Sequence, residues 1–235
     1  TLMGDGTRFS PRFMPVSNSI YLSDDNVFID ADYTRIGSET SYAQFDAEGS
    51  FELVGNATQW EDLRVEPTVR GTGANNPAFE QWITDGTGSR GLFLYSFDDA
   101  ATAQQKEMFF TMQLPHSWVG GKSTRLKIHV HWIGNLDDTT AAPIWGLEYS
   151  WRNIGEVFPN STIKYTTGIN YTSSGSEADI VAYKHYISKF TDLFPDGSSD
   201  EISSILVCRL FRRSGDASDT YNVANNKCGL LYIDA

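Results

Sequence analysis

The sequence holds only two cysteines, Cys208 and Cys228, in 235 residues. That scarcity excludes a disulfide framework, and the spacing matches no zinc motif. The expectation is a buried free thiol at each position, with a Cys208–Cys228 bridge left open if the last two strands are neighbours. No apolar run approaches the ~20 residues that span a bilayer as a helix. The opening TLMGDGTRFS lacks the basic stretch and apolar core of a secretory leader. Positive charge is also in short supply: 18 Lys and Arg stand against 30 Asp and Glu, for a net charge of −12. A nucleic-acid interface needs a clustered positive field, so this composition argues against one. The densest basic group, Arg209, Arg212 and Arg213, reads as a solvated or interfacial strand face. Catalytic signatures are missing as well. There is no GxSxG elbow, and nothing around the four histidines marks a triad. Gly71-Thr72-Gly73 and Gly86-Thr87-Gly88 lack the strand-to-helix context of a phosphate loop.

What is present points to β structure. Aromatics make up 13% of the chain, Gly numbers 20, and charged residues are only 20%, the balance of a β-rich globular protein. A chain of this length buries a sound core without staples.

Two textures divide the sequence. Over residues 1–55, short pieces recur: SIYLS, NVFID, YTRIG, SYAQFD and SFELV. Turn signals separate them at Asp24-Asp25-Asn26, Asp30-Ala31-Asp32, Gly37-Ser38 and Glu48-Gly49. Each piece has too few apolar residues to bury a face alone. The expectation is an N-terminal arm or stem in which neighbouring chains supply the missing core. An ordinary meander on the main domain is the other reading.

Over residues 56–235 the expected unit is a β-sandwich domain. From Leu92 the apolar period is two. Met108, Phe110, Met112 and Leu114 share one face. So do Leu126, Ile128, Val130 and Trp132, and again Trp145, Leu147, Tyr149 and Trp151. A long late strand, ISSILVCRLF, and a closing strand, CGLLYID, follow. DAATAQQKEM is the one helix candidate, and PAFEQWI reads as a short helix or an aromatic plug. About eight strands with one apolar face each predict an all-β fold, an antiparallel β sandwich with jelly-roll wrapping as its natural form.

The stretch KIHVHWIG, Lys127–Gly134, places His129 and His131 on one strand face with Arg125 and Lys127, opposite the apolar face. Three readings compete. One is a polar outer face whose imidazoles bond to neighbours such as Glu148 or Ser150. Another is a metal site completed by His116, His185, Glu148 or symmetry mates. The last is a catalytic base. The carboxylate pairs Asp24-Asp25, Asp98-Asp99 and Asp137-Asp138 read as turn chemistry, with loop calcium at Asp137 and Asp138 a minor reading. Trp82 and Trp118 read as loop residues, either plugs on the sandwich end or platforms for stacking a glycan.

Several stretches are familiar as a set: WEDLRV, GLFLYSF, MQLPHSW, IHVHW, WGLEYSWRNIGEVFPNSTI and ISSILVCRLFR. Together, from Trp60 to the C-terminus, they resemble an uncharacterised family of virion structural proteins of tailed bacteriophages, of head-decoration or head- or tail-fibre type. The resemblance implies a non-enzymatic particle component without a cofactor. It implies other virion proteins as partners, assembly in a bacterial cytoplasm and reduced thiols. A homotrimer through the N-terminal strands is expected, with the His/Arg/Lys face as a candidate subunit interface. Two alternatives stay open: a carbohydrate-binding host-recognition module using Trp82 and Trp118, and a cupin-like metal-dependent enzyme using His129 and His131.

Overall fold

A computed structural model describes residues 19–23, 26–30, 34–38, 40–45, 51–54, 62–69, 75–88, 90–98, 105–115, 118, 126–193, 203–222 and 225–235. The chain divides into two compact units, Thr1–Gln59 and Trp60–Ala235. All described regular structure is β, and every strand pair is antiparallel.

The first unit holds five short strands: β1 (Ser19–Ser23), β2 (Asn26–Asp30), β3 (Thr34–Gly37), β4 (Tyr42–Phe45) and β5 (Phe51–Val54). β1 and β2 pair as a hairpin, and β3-β4-β5 form a three-stranded meander. Ile36 lies opposite Ala43, Ala43 opposite Leu53, and Phe45 opposite Phe51. Because side chains alternate along a strand, these five residues share one face of the meander. Phe45 and Phe51 touch, with ring centroids 5.3 Å apart. That apolar face is open: Ile36 is 71% exposed, Phe45 47% and Phe51 53%.

The second unit contains β6 (Ala78–Thr84), β7 (Gly91–Phe97), β8 (Glu107–Gln113), β9 (His129–Gly134), β10 (Trp145–Arg152), β11 (Thr162–Tyr165), β12 (Asn170–Thr172), β13 (Gly175–Glu177), β14 (His185–Lys189), β15 (Ile205–Arg212) and β16 (Cys228–Asp234). They form a seven-stranded sheet, β13-β12-β14-β9-β16-β7-β6, and a four-stranded sheet, β11-β10-β15-β8. The pairing is nested: β7 with β16, β8 with β15, β9 with β14, and β10 with β11. The two sheets pack face to face as a β sandwich.

The predicted apolar faces meet in its middle. Met108, Phe110, Met112 and Leu114 of β8 and its end, Val130 and Trp132 of β9, Trp145, Leu147, Tyr149 and Trp151 of β10, and Leu206, Cys208 and Leu210 of β15 all belong to one buried cluster. Phe97 meets Trp145 edge-on across the sheets at 5.0 Å. Each such side chain contributes roughly 1.5–3 kcal/mol by leaving water. Large indoles bring a polar N–H into the core, and two are matched. Trp132 Nε1 donates to Ser188 Oγ and Trp151 Nε1 to Ser204 Oγ, each at 3.0 Å.

One side of the sandwich is sealed by the segment 62–69. Leu63 N donates to Ala235 O, Val65 bridges Ile233 on β16, and Thr68 bridges Phe109 on β8. The short segment thus ties one sheet to the other.

The structure corrects several expectations. PAFEQWI is neither helix nor plug; it forms β6, because alternation of Glu80 and Trp82 against Phe79 and Gln81 suits an edge strand. Of DAATAQQKEM, residues 99–104 lie outside the described part. Gln105 and Lys106 are not helical, and Glu107 opens β8. The expected buried free thiols are found at Cys208 and Cys228, which lie in different sheets, so the bridge left open does not form. Burial pushes both thiols up to about 12.

Nor are Arg209, Arg212 and Arg213 one solvated face. Arg209 is shared between Glu107 and Glu148, with 2.7 Å to the first and 2.6 Å to the second. Arg213 reaches Asp216 at 2.7 Å. Arg212 is fully buried. Its guanidinium grips Asp219 through Nε and Nη2, each at 3.0 Å, and donates to the carbonyls of Phe97, Asn226 and Tyr221. Asp219 Oδ2 also accepts from Ile144 N. Strand period alone cannot foresee this, because Asp219 lies in a loop seven residues on and the three carbonyls come from elsewhere in the chain.

Candidate functional site

The outer face of the seven-stranded sheet carries the histidines. β9 sits between β14 and β16, so each of its outward residues has neighbours on both sides. On β16, a bulge between Leu230 and Tyr232 shifts the register and brings Tyr232 opposite His131 and Asp234 opposite His129. On β14, Ile187 lies opposite His131 and Lys189 opposite His129, with His185 one diagonal step away.

Asp234 joins the two histidines. Its Oδ1 lies 3.2 Å from His129 Nδ1 and its Oδ2 lies 3.1 Å from His131 Nε2. His131 Nε2 is buried there without a well-aligned hydrogen bond. His131 Nδ1 sits 2.9 Å from His185 Nε2. One of those two nitrogens must donate and the other accept, so the pair shares a single proton along that line. Tyr232 stacks on His131 with centroids 4.0 Å apart, and the Arg64 guanidinium lies 4.2 Å above the Tyr232 ring. His131 is therefore roofed. Burial lowers its pKa below the ordinary histidine value; the Asp234 charge opposes that shift, and His185 adds to it.

Of the neighbours expected from the sequence, His185 does meet His131, but Glu148 and Ser150 do not. Glu148 and Ser150 belong to β10 in the other sheet, where Glu148 holds Arg209 and Ser161. Ser150 Oγ donates to the Pro159 carbonyl. His116 and Arg125 lie outside the described residues. His131 is also not a solvent-facing side chain, because Tyr232 covers it. Among the described residues, no group of three or more His, Cys, Asp and Glu is arranged to hold a metal. The imidazoles face Asp234 and one another rather than a common point. The useful signal in the sequence was Tyr232 and Asp234, spaced like His131 and His129, in the closing strand. Only the bulge, which no pattern announces, fixes which pairs with which.

The tryptophans fall elsewhere. Trp82 is on β6, not in a loop. It occupies the register shift between Gln81 and Ile83, and a bulge re-aims the side chain it carries. Its indole lies flat over Gly229, where an added Cβ would come within 2.9 Å of the ring. Its Nε1 donates to Ser96 Oγ at 2.8 Å. At 7% exposure it offers no free face for stacking. Trp118 is half-buried against the core and meets Trp151 edge-on at 6.2 Å.

The second unit carries two shallow surface clefts. The larger, about 350 Å³, lies over β8 and β15 and is lined by Val65, Glu66, Thr68, Phe109, Thr111 and Val207, among others. The smaller, about 180 Å³, is lined by Glu80, Gln81, Trp82, Asn135, Tyr183 and Lys227. Neither takes a histidine into its wall. Sequence reading placed Trp82 at a candidate site but missed Tyr183, which stands in a turn without a motif.

Comparison with protein-family models, curated proteins and solved structures finds no match to this chain. Among the described residues, no helix is long and apolar enough to cross a membrane.

Proposed function

We propose that this chain is a non-enzymatic structural component of a tailed-phage particle, a capsid-decoration, head-fibre or tail-fibre protein that acts by assembly. The observation that carries the reading is the open apolar face of the β3-β4-β5 meander. Ile36, Phe45 and Phe51 stand exposed on one side of a single three-stranded sheet, an apolar face that a stable domain buries against a second layer. The occupants of that face are the same face of other copies, in a homotrimer, so that three partial cores make one whole. The His129/His131 face, with Asp234, His185 and Tyr232, has its polar groups directed at one another. It serves the sandwich as a structural polar cluster.

The nested strand order supports reading the sandwich as a jelly roll. Its two sheets alternate the strands of one folded ribbon, an arrangement used by viral capsid and lectin domains. A fold alone does not assign a function. The resemblance over Trp60 to the C-terminus and the acidic charge of −12, which keeps a high-copy module soluble, point the same way. Its partners are then other virion proteins, and its place is the virion, assembled in the host cytoplasm.

The test is sedimentation of the full chain beside a Phe45→Ser/Phe51→Ser variant. The native chain is expected to sediment as a trimer and the variant as a monomer with an unchanged sandwich. Identical sedimentation of the two would remove the meander from the assembly.

A further inference from the structure

The small cleft beside β6 has no part in the assembly reading, and its lining is chemically specific. We infer that it is a binding site for one neutral pyranose ring, with Tyr183 as the stacking platform.

Four observations converge. First, Tyr183 is held at φ 60, the left-handed region, which is costly for a bulky L residue. The turn is fixed there by Tyr183 N donating to Gly134 O at 2.7 Å and Lys184 N to Val181 O at 3.1 Å. The result is an aromatic ring 56% exposed at the cleft, standing edge-on to Trp82 at 6.5 Å. Second, Trp82 forms a rigid back wall, tethered to Ser96 and seated on Gly229. Third, the polar groups are paired and balanced. Lys227 Nζ donates to both carboxylate oxygens of Glu80, at 3.0 and 2.8 Å, and Ser96 Oγ donates to Oε2 at 3.2 Å. The pair leaves no net charge to attract an anion or a cation. It still leaves carboxylate lone pairs and an ammonium N–H for hydroxyl groups. Fourth, about 180 Å³ is below the ~300–1,000 Å³ of a site for a drug-sized ligand. It suits one ring, with any longer glycan running into solvent.

A pyranose has what this site reads. Its C–H face packs on the electron-rich face of an aromatic ring. Its vicinal hydroxyls both donate and accept, as a Glu–Lys pair requires. The site therefore differs from one built on Trp82 or Trp118 as platforms: Trp82 is the wall, and Trp118 lies outside the lining.

The experiment uses the full chain and the methyl glycosides of glucose, galactose, mannose and N-acetylglucosamine at millimolar concentration, followed by saturation-transfer and titration NMR. At least one of the four is expected to bind. Tyr183→Gly removes the platform and also relieves the backbone, so the fold is retained while affinity drops by roughly tenfold or more, as for a hot-spot aromatic. Tyr183→Phe keeps the ring and binds within a few-fold of the native chain. Glu80→Gln, which unbalances the pair, also weakens binding. The inference is overturned if none of the four glycosides binds, if Tyr183→Gly binds as the native chain does, or if inorganic phosphate binds as well as the best glycoside. Sedimentation of the same samples reads the assembly separately, so the two claims stand or fall independently.

Discussion

The β3-β4-β5 meander and the sandwich use the same kind of residues to opposite effect. In the sandwich, Trp132, Trp145 and Trp151 are buried to completion between two sheets. In the meander, Phe45 and Phe51 are paired on a single sheet and left half exposed. Both sequences alternate apolar and polar residues, and both form antiparallel strands. The difference lies in what stands opposite the apolar face. In the sandwich the same chain supplies it. In the meander no described residue of the same unit lies over it, and the proposed trimer would supply the cover from a second and third copy of the same surface.

That contrast can be broken at its strong end first. Arg212→Met removes one partner of a fully buried ion pair and leaves Asp219 charged inside the sandwich. Unfolding in urea is expected to show a loss of about 3–5 kcal/mol. A loss below about 1 kcal/mol would mean that Asp219 is not left as an unpaired buried charge. Leu147→Ala comes next, at about 2–5 kcal/mol, because its site lies between packed strands and cannot collapse freely. Acidification has a smaller effect. His131 has its folded pKa below the unfolded value of about 6.5. Below that pH the unfolded chain takes up a proton that the folded chain refuses. Stability is therefore full above about pH 6.5 and falls as pH drops toward the folded pKa. Midpoints measured across that window should decline, and His131→Gln should flatten the decline; an equal slope in both would clear His131 of the effect. The smallest change belongs to the meander. Phe45→Ser is expected to change the unfolding free energy of the sandwich, measured in urea, by no more than about 0.5 kcal/mol, the scale of a surface substitution. A shift of core size would show that Phe45 is part of a core after all.

Much of the fold was legible because period two is a strong signal when one face is buried. The faces of β8, β9 and β10 were readable residue by residue, and so was the side of β15 that buries Cys208. The site was less legible. His129 and His131 could be placed on one outward face with His185 as a possible neighbour, yet Tyr232 and Asp234 come from the far end of the chain through a bulge. Trp82 was visible as a special residue but misplaced, since glycine-rich flanks disguised an edge strand. Arg212 looked like its neighbours Arg209 and Arg213. Its distinction is set by Asp219 and by three carbonyls that converge only in three dimensions. Tyr183 carried no pattern whatever, because a positive φ is a property of the turn and not of the residue. Local periodicity reports which face is buried; it does not report what meets that face.

The most direct test of the central claim is the mass in solution, by light scattering, of the full chain and of a chain running from Trp60 to Ala235. The core cluster lies wholly within the second chain, so it should fold. The account predicts three times 26.2 kDa for the full chain and a monomer for the shorter one. A monomer in both would contradict it, because the open face of Ile36, Phe45 and Phe51 would then have no copy of itself to meet.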